Sequence, residues 1–498
     1  MDQADELEKA RMLIRDAGGE FSDSPPVRAA LAACEHRLDE PLRVALAGTL
    51  KSGKSTMLNA LVGEEIAPTD ATECTRVVTW FSHSPVPRVD LTHRVGEQDV
   101  AHTALPVRRQ DARLVLHLGG VAAERVQRLR VGWPCALLDS YTLIDTPGTS
   151  SNSPDVSQRT LDFLTPHDGS CQADAIVYLI RAPQDTDLEP LRHIQHHHGP
   201  GRGPLGVIAV LARADETPGH GAEATSGMDS ARAVTERLRT APELAGLHRD
   251  FIAVSGLLAI RGQTLRQSEF LALATLADQP ASTLRSALLS PGRFTHADLP
   301  IPGIEREHLL EAFGMIGIKT AVELIRGGAR DAPALADALV RHSGLEELQH
   351  TLHTRFGGRH AQLKAHSALH TLRAILLGLA PARAQRLLRA VDHTLADTHT
   401  ITELAVLAGL TALPLPQPTL AALDQTLGGQ GTSPSARLGL APDATAVTLR
   451  TAAGRRLTHW HTQLDEPLLD EPTTRAYWAA VRSCEAIIAT TRSTRPPG

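Results

Sequence analysis

The stretch Gly48-Thr49-Leu50-Lys51-Ser52-Gly53-Lys54-Ser55 fits the pattern G-x-x-x-x-G-K-[ST], whose chemistry is the gripping of a phosphate chain. Glycines at this spacing let the backbone wrap the phosphates, while successive N–H groups and a helix N-terminus supply positive potential. Gly48, Ser52, Gly53, Lys54, Ser55 and Thr56 are then the nucleotide contacts. Lys54 reaches the β- and γ-phosphates, and the Ser55 hydroxyl ligates Mg²⁺. An ordinary glycine turn has the same outline, but lysine usage separates the two. The chain holds five lysines (Lys9, Lys51, Lys54, Lys319, Lys364) among 50 basic residues, and two of the five fall in this loop. Where arginine is otherwise the rule, lysine marks a need for a compact ammonium.

Asp145-Thr146-Pro147-Gly148 closes an apolar run. An aspartate there can hold the Mg²⁺ shell, and a glycine three residues on can donate its N–H to a γ-phosphate. Ala212-Arg213-Ala214-Asp215 closes another run. Asp215 could accept the ring N–H and exocyclic amine of guanine, a donor pair that adenine lacks; an ATPase with an incidental Asp215 is the alternative. Ser255-Gly256 could complete the base pocket through backbone N–H groups. Between the first two elements, Thr75 could supply a hydroxyl to the Mg²⁺ shell when a γ-phosphate is bound, with Thr72 as runner-up.

These residues need a strand before each of them. The expected strands are Leu42–Ala47, Val77–Phe81, Leu137–Ile144, Ala175–Ile180, Val207–Leu211 and Phe251–Val254, several of them continuous Val/Ile/Leu runs of the kind buried on both faces. With helical stretches between them, such as Thr56–Val62, they predict an α/β phosphate-loop domain with a mostly parallel sheet and helices on both faces. Residues 4–17 and 26–39 read as amphipathic helices, the second opening at Pro25-Pro26. Beyond residue 256 the pattern is helical. Leu345, Leu348, Leu352 and Phe356 follow an apparent capping box at Ser343-Gly344-Leu345-Glu346. Leu369, Leu372, Leu376 and Leu379 repeat the stripe up to a break at Pro381. Pro414–Gly431 reads as a connection, and a last helix near Pro472–Thr491 carries Trp478, Val481, Cys484 and Ile488 on one face. An α-helical bundle therefore follows the α/β domain.

Length and charge narrow the classes further. The 498 residues are 42% hydrophobic with a formal net charge of −6, against a dedicated nucleic-acid binder. The 15 aromatics leave the core to Leu, Ala, Val and Ile. Five scattered cysteines (Cys34, Cys74, Cys135, Cys171, Cys484) form no C-x-x-C pair, which fits a reducing compartment without structural zinc. An acidic start and the lack of a ~20-residue apolar run lead to an expectation of a cytoplasmic protein.

The stretches LKSGKSTMLNALVGEEIAPTDATECTRVVTW, LIDTPGTSS, VLARADE and IAVSGLL resemble the dynamin-like GTPases, specifically the bacterial, actinobacterial-type branch with the isoniazid-inducible and septation-associated members. LLEAFGMIGIKTAVELIRGGA, VRHSGLEELQHTL and KAHSALHTLRAIL look like that branch's helical segments. The resemblance implies binding and Mg²⁺-dependent hydrolysis of GTP, self-association through GTPase domains, a paralogous dynamin-like partner, and membrane remodelling or fission from the inner face of the cell membrane. It implies four segments: N-terminal neck helices (1–40), a GTPase domain (41–257), a helical neck and trunk (258–470), and a C-terminal helix returning to the neck with a frayed tail (471–498). In that neck the N-terminal helices, the helix after Gly256 and the last helix would meet.

The chain also departs from the family. Eukaryotic dynamins carry glutamine and serine, which orient water and hold a monovalent cation, where this chain has Leu50 and Lys51. Leu50 cannot position water; Lys51 could place its ammonium where the cation would sit, or stand solvated at the loop rim. The catalytic candidates are then Lys51, Lys54, Thr75 and Gly148, with Ser55, Thr75 and Asp145 toward the metal. Arg213 replaces the usual lysine and can still stack on a purine. An RNA- or ribosome-associated GTPase and a weakly hydrolysing scaffold are the alternatives. His193, His196, His197 and His198 read as a solvated helix end, and His366 with His370 as surface or packing residues. Phe313–Ile318 and Leu413–Leu415 read as helix packing before membrane-insertion tips.

Overall fold

A computed structural model of the chain describes residues 3–49, 51–68, 77–96, 99–110, 113–147, 163–164, 172–182, 206–218, 227–239 and 251–493. Its centre is a nine-stranded sheet. The strands in chain order are β1 (Leu42–Gly48), β2 (Thr79–His83), β3 (Arg88–Arg94), β4 (Val100–Leu105), β5 (Arg108–Gln110), β6 (Arg113–Val115), β7 (Val126–Trp133), β8 (Tyr141–Asp145), β9 (Ala175–Ile180), β10 (Gly206–Ala212) and β11 (Phe251–Val254). Across the sheet the order is β11-β10-β9-β1-β8-β2-β7-β3-β4, with β5 and β6 forming a separate hairpin. Pairing is parallel from β11 to β8 and again between β2 and β7. It is antiparallel at β2–β8, β3–β7 and β3–β4.

The parallel half matches the predicted strands. Every residue of β9 is buried, as a strand covered on both faces requires. Two expected boundaries move. The run Leu137–Ile144 splits into a helical turn, α4 (Leu137–Ser140), and β8; the polar Asp139 and Ser140 end the turn, whose Leu138 is buried. The strand expected at Val77–Phe81 begins at Thr79 instead. The edge formed by β3, β4 and β7 was not predicted, because Arg88–Arg94 and Val126–Trp133 carry exposed polar side chains on one face.

Among the described residues, the helices before β11 include α1 (Gln3–Glu20), α2 (Pro25–Arg37), α3 (Lys54–Val62), the α4 turn and α5 (Gly227–Arg239). After β11 come α6 (Gly256–Thr264), α7 (Gln267–Ala277), α8 (Ala281–Ala287), α9 (Pro291–His296), α10 (Gly303–Arg326), α11 (Ala332–His342) and α12 (Leu345–Arg355). The remainder are α13 (His360–Leu377), α14 (Pro381–Asp397), α15 (His399–Gly409), α16 (Gln417–Thr426), α17 (Pro434–Leu438), α18 (Ala446–Leu464) and α19 (Glu471–Ser493). On one sheet face Val44, Leu46, Val177, Leu179, Val210 and Val254 meet α1, α2, α3, α12 and α13. On the other, Ala45, Ala47, Tyr178, Leu211 and Phe251 meet α5, α7, α10 and α11. Leu335 and Leu339, far beyond residue 257, thus share a core with the strands. A third core, around Trp460 stacked on Tyr477 at 5.7 Å, belongs to α15, α16, α18 and α19.

Several helical expectations are revised. The apparent capping box at Ser343 is absent: α12 is capped by Gly344 at φ 79°, and Ser343 instead ends α11. A helix, α16, occupies the expected Pro414–Gly431 connection. On α19 the buried face is Tyr477, Val481 and Cys484, whereas Trp478 is half-exposed. The three segments implied to form one neck pack elsewhere. α1 and α2 lie on α13, with α1 also touching α14; α6 lies on α3 and α11; α19 lies on α15, α16 and α18. Phe313 and Ile318 are buried where Gly314 (φ 64°) kinks α10, and Leu413 packs into the third core. His366 is buried, its ring 4.4 Å from that of His370. His193, His196, His197 and His198, with Cys74 and Cys171, lie outside the described residues; Cys34, Cys135 and Cys484 are free thiols.

Candidate nucleotide site

The chemistry collects at the carboxyl ends of parallel strands, the usual place for a ligand in an open α/β sheet. β1 ends at Gly48, and its neighbour β8 ends at Asp145, which pairs in register with Leu46. Gly48 has φ 146°, and a Cβ there would stand 2.2 Å from the Leu179 carbonyl oxygen, so only glycine fits. The loop then turns through Lys51 (φ 61°) and Gly53 (φ 94°) into α3. The first helical bond of α3 runs from Met57 N–H to Gly53 O at 2.8 Å. The N–H groups of Lys54, Ser55 and Thr56 therefore precede the helical ladder, at a terminus suited to an anion.

Lys54 is buried beneath the loop and donates to the carbonyls of Gly48 (3.2 Å) and Thr49 (3.1 Å). Burial pushes its pKa below the ordinary lysine value, with the Asp145 charge opposing. A nearby phosphate would draw this ammonium off its two carbonyls and favour its charged form. Ser55 Oγ donates to Asp145 Oδ2 at 2.8 Å. Burial raises the Asp145 pKa against the pull of Lys54 and Ser55, and its Oδ1 is buried without a hydrogen-bond partner. A hydroxyl beside a carboxylate with an unused oxygen is a hard, all-oxygen donor set that fits Mg²⁺. The Ser52 hydroxyl is likewise buried and unbonded inside the loop.

At the far side of the parallel half, β10 and β11 place Asp215 and Ser255 together. Arg213 adopts φ 52° and starts the 3₁₀ turn Ala214–Glu216. Its guanidinium, part-exposed, is tied to Glu216 at 2.9 Å. Asp215 is buried, which raises its pKa, and the Ser255 hydroxyl hydrogen-bonds to it in opposition. Ser255 Oγ also caps α6 by accepting the Leu258 N–H at 3.2 Å. The expected roles of the two following amides divide: Ser255 N–H is occupied by Ser343 O at 2.8 Å, so it cannot read a base. Gly256 N–H, at the first position of α6, has no intrahelical acceptor and remains the candidate. Gly256 lies against α3, its missing Cβ 3.3 Å from Met57 N, which sets the Asp215–Ser255 corner beside that helix.

Leu50, Thr72, Thr75 and Gly148 lie outside the described residues. Lys51 is exposed at the loop rim. Three supporting residues escaped the sequence reading. Thr146 ties the chain after Asp145 back to β1, its N–H and Oγ both donating to Leu46 O at 3.3 and 2.8 Å; its place in the D-T-P-G stretch was a usable signal. Gly227 lies so close to the Asp215 carbonyl that a Cβ would come within 1.9 Å of its oxygen. Ser343 braces Ser255 from 88 residues away in sequence, a pairing only the fold shows.

The chain is similar in sequence to known proteins over most of its length. The profile of the dynamin family matches residues 44–211, from β1 to the end of β10. The isoniazid-induced protein IniC of Mycobacterium tuberculosis is 43% identical over 458 residues, covering 91% of each chain. The isoniazid-induced protein IniA of the same organism is 32% identical over 173 residues, 34% of this chain and 26% of IniA. A solved structure described as an oligomerised bacterial dynamin pair aligns over 99% of this chain and 75% of its own, at 15% identity and a TM-score of 0.32. With the phosphate loop, the Ser55–Asp145 pair and near-full-length similarity to IniC in hand, the chain belongs to the dynamin family, in its bacterial branch.

Proposed function

We propose that this chain binds GTP with Mg²⁺, hydrolyses it, and couples the cycle to self-association and peripheral membrane remodelling or fission at the inner face of the cell membrane. The observation carrying the nucleotide half is one edge of the sheet bearing Lys54 under a phosphate loop, Ser55 on Asp145, and Asp215 on Ser255. Ser55 and Asp145 would hold Mg²⁺, whose charge would offset that of the β- and γ-phosphates. The residues of the chain do the rest by position. The N–H groups of Lys54 to Thr56 orient the phosphates, and Lys54 follows the charge that develops between them. Lys51, held in a left-handed backbone conformation at the rim, would place its ammonium where eukaryotic dynamins hold a monovalent cation, offsetting charge between the β- and γ-phosphates. Thr75 would add its hydroxyl to the Mg²⁺ shell when a γ-phosphate is bound, and Gly148 would donate its N–H to that phosphate.

Support for the membrane half comes from family membership. Among the described residues no helix is long and apolar enough to cross a membrane, so contact would be peripheral. A second dynamin-like paralogue is a candidate partner alongside a second copy of the chain. Leu50 in place of a water-orienting glutamine favours, as a second reading, a nucleotide-bound scaffold with little hydrolysis.

Phosphate release measured against protein concentration, with and without liposomes, tests the proposal. Turnover per molecule should rise with both. Constant turnover under both changes refutes the coupling, and a single-turnover experiment without product points to the scaffold. Asp215→Asn replaces an acceptor pair with a donor and should shift preference from GTP toward xanthosine triphosphate, whose base offers an acceptor at that edge; unchanged preference would remove Asp215 from base reading.

A further inference from the structure

The base-reading corner is held from outside the segment matched by the family profile. The turn His342-Ser343-Gly344 joins α11 to α12 and runs beneath the end of β11. Ser343 is fully buried; its carbonyl accepts the Ser255 N–H at 2.8 Å. Its hydroxyl donates to Val340 O at 2.6 Å and accepts Leu345 N–H at 3.2 Å, which fixes the direction of that carbonyl. Gly344, at φ 79°, presses on β11: a Cβ there would lie 2.1 Å from the Ala253 carbonyl oxygen. The His342 carbonyl accepts from Arg232 of α5 at 3.2 Å. The same helix begins at Gly227, the residue packed on the Asp215 backbone. One turn therefore touches β11, the Ser255 amide and the helix behind Asp215.

We infer that Ser343 and Gly344 are positioning residues for guanine selectivity, a role that rests on the GTP reading above. Neither touches nucleotide. The Ser343 carbonyl on the Ser255 N–H and Gly344 against Ala253 hold the backbone that leads into Gly256, so that the Gly256 N–H and the Asp215 carboxylate face one base edge together. Since α12 leads on through Arg359 into α13, the base pocket is also braced by the helical half of the molecule.

The test measures binding of Mg·GDP, Mg·ADP and Mg·tripolyphosphate by calorimetry to the full-length protein and two variants. Tripolyphosphate reports the phosphate loop alone. Gly344→Ala should lower the GDP-over-ADP preference at least tenfold while tripolyphosphate affinity stays within twofold; in turnover, KM for GTP should rise with kcat at saturation held. Ser343→Ala frees the carbonyl direction without adding volume and should cost about threefold of the preference. If Gly344→Ala fails to fold by circular dichroism, Ser343→Ala decides. An unchanged GDP-over-ADP ratio in a folded variant overturns the inference, as does an equal loss of tripolyphosphate binding. Equal GDP and ADP affinity in the unaltered protein instead overturns the GTP reading itself.

Discussion

Replacing Lys54 by methionine should separate stability from binding. In the nucleotide-free fold the ammonium is buried and held by two carbonyls, at 3.2 and 3.1 Å. Losing two charge-assisted hydrogen bonds costs about 3–6 kcal/mol in total. Removing a buried charge recovers a desolvation penalty of several kcal/mol, consistent with the depressed lysine pKa. The two nearly cancel, so Lys54→Met should leave the free protein within about 2 kcal/mol of its original stability. Binding has no such offset, because the lysine is the buried cation of the phosphate loop. With Mg·GDP at 100 times the original Kd, ligand linkage adds about 2.7 kcal/mol to the unaltered protein. A hundredfold weaker variant gains only about 0.4 kcal/mol under the same conditions. For a chain of 498 residues the scale is about 1 °C per kcal/mol, so the ligand-induced rise in Tm should fall from about 3 °C to about 0.4 °C. Thermal melts with and without Mg·GDP measure both quantities. A free variant destabilised by more than about 4 kcal/mol, or one with an undiminished ligand shift, refutes the balance drawn here.

Other substitutions probe different parts of the same frame. Gly48→Ala places a Cβ 2.2 Å from Leu179 O, so β1 and β9 must separate; both Tm and nucleotide affinity should drop, and retained affinity would contradict the close approach. Glu403 is buried among Arg437, Arg359 and His399, and Glu403→Gln should cost about 3–5 kcal/mol in urea unfolding by stranding two guanidiniums. Although burial alone would raise it, hydrogen bonds from Arg437 and His399 and the arginine charges hold the Glu403 carboxyl below its ordinary 4.5. Its stabilisation is therefore complete above pH 4.5 and lost as pH falls below that; acid unfolding of the glutamine variant that retains this loss would count against it. Asp145 behaves oppositely, because burial raises its carboxyl above the ordinary 3.8. The nucleotide-free fold gains stability as pH falls through that raised value, whereas Mg·GDP binding needs the carboxylate and must release a proton there. Calorimetry in two buffers of different ionisation enthalpy should show the release; identical heats would speak against it.

The strand ends that place Gly48, Asp145 and Asp215 were legible because their physics is local. Gly48 to Ser55 is a contiguous loop between a buried strand and a helix, and Asp145 and Asp215 each close an apolar run. The outer strands were not legible, since β3 and β4, although they pair with each other, expose polar faces that resemble loop. Ser343 misled for a related reason. S-G-L-E satisfies a local capping pattern, but the close approach of Gly344 to Ala253 makes glycine the cap and turns the serine toward Ser255. The packing partners of the helices implied to form a neck were not legible, because apolar stripes state that a helix face is covered without naming what covers it. Trp478 shows the same limit: one residue of rotation puts Tyr477 inside and the tryptophan at the surface.

The seating of the first helix has a consequence for biogenesis. The apolar side of α1, with Ala10, Ile14 and Ala17, docks on α13, whose first residue is His360. Glu6 is further joined by Thr400, 394 positions later. At a synthesis rate of about 5–20 residues per second, this stripe waits roughly 20–70 s for its partner to leave the ribosome. Throughout that interval the nascent chain carries an apolar stripe without its α13 partner, making a delay of docking until release part of how the molecule comes into being.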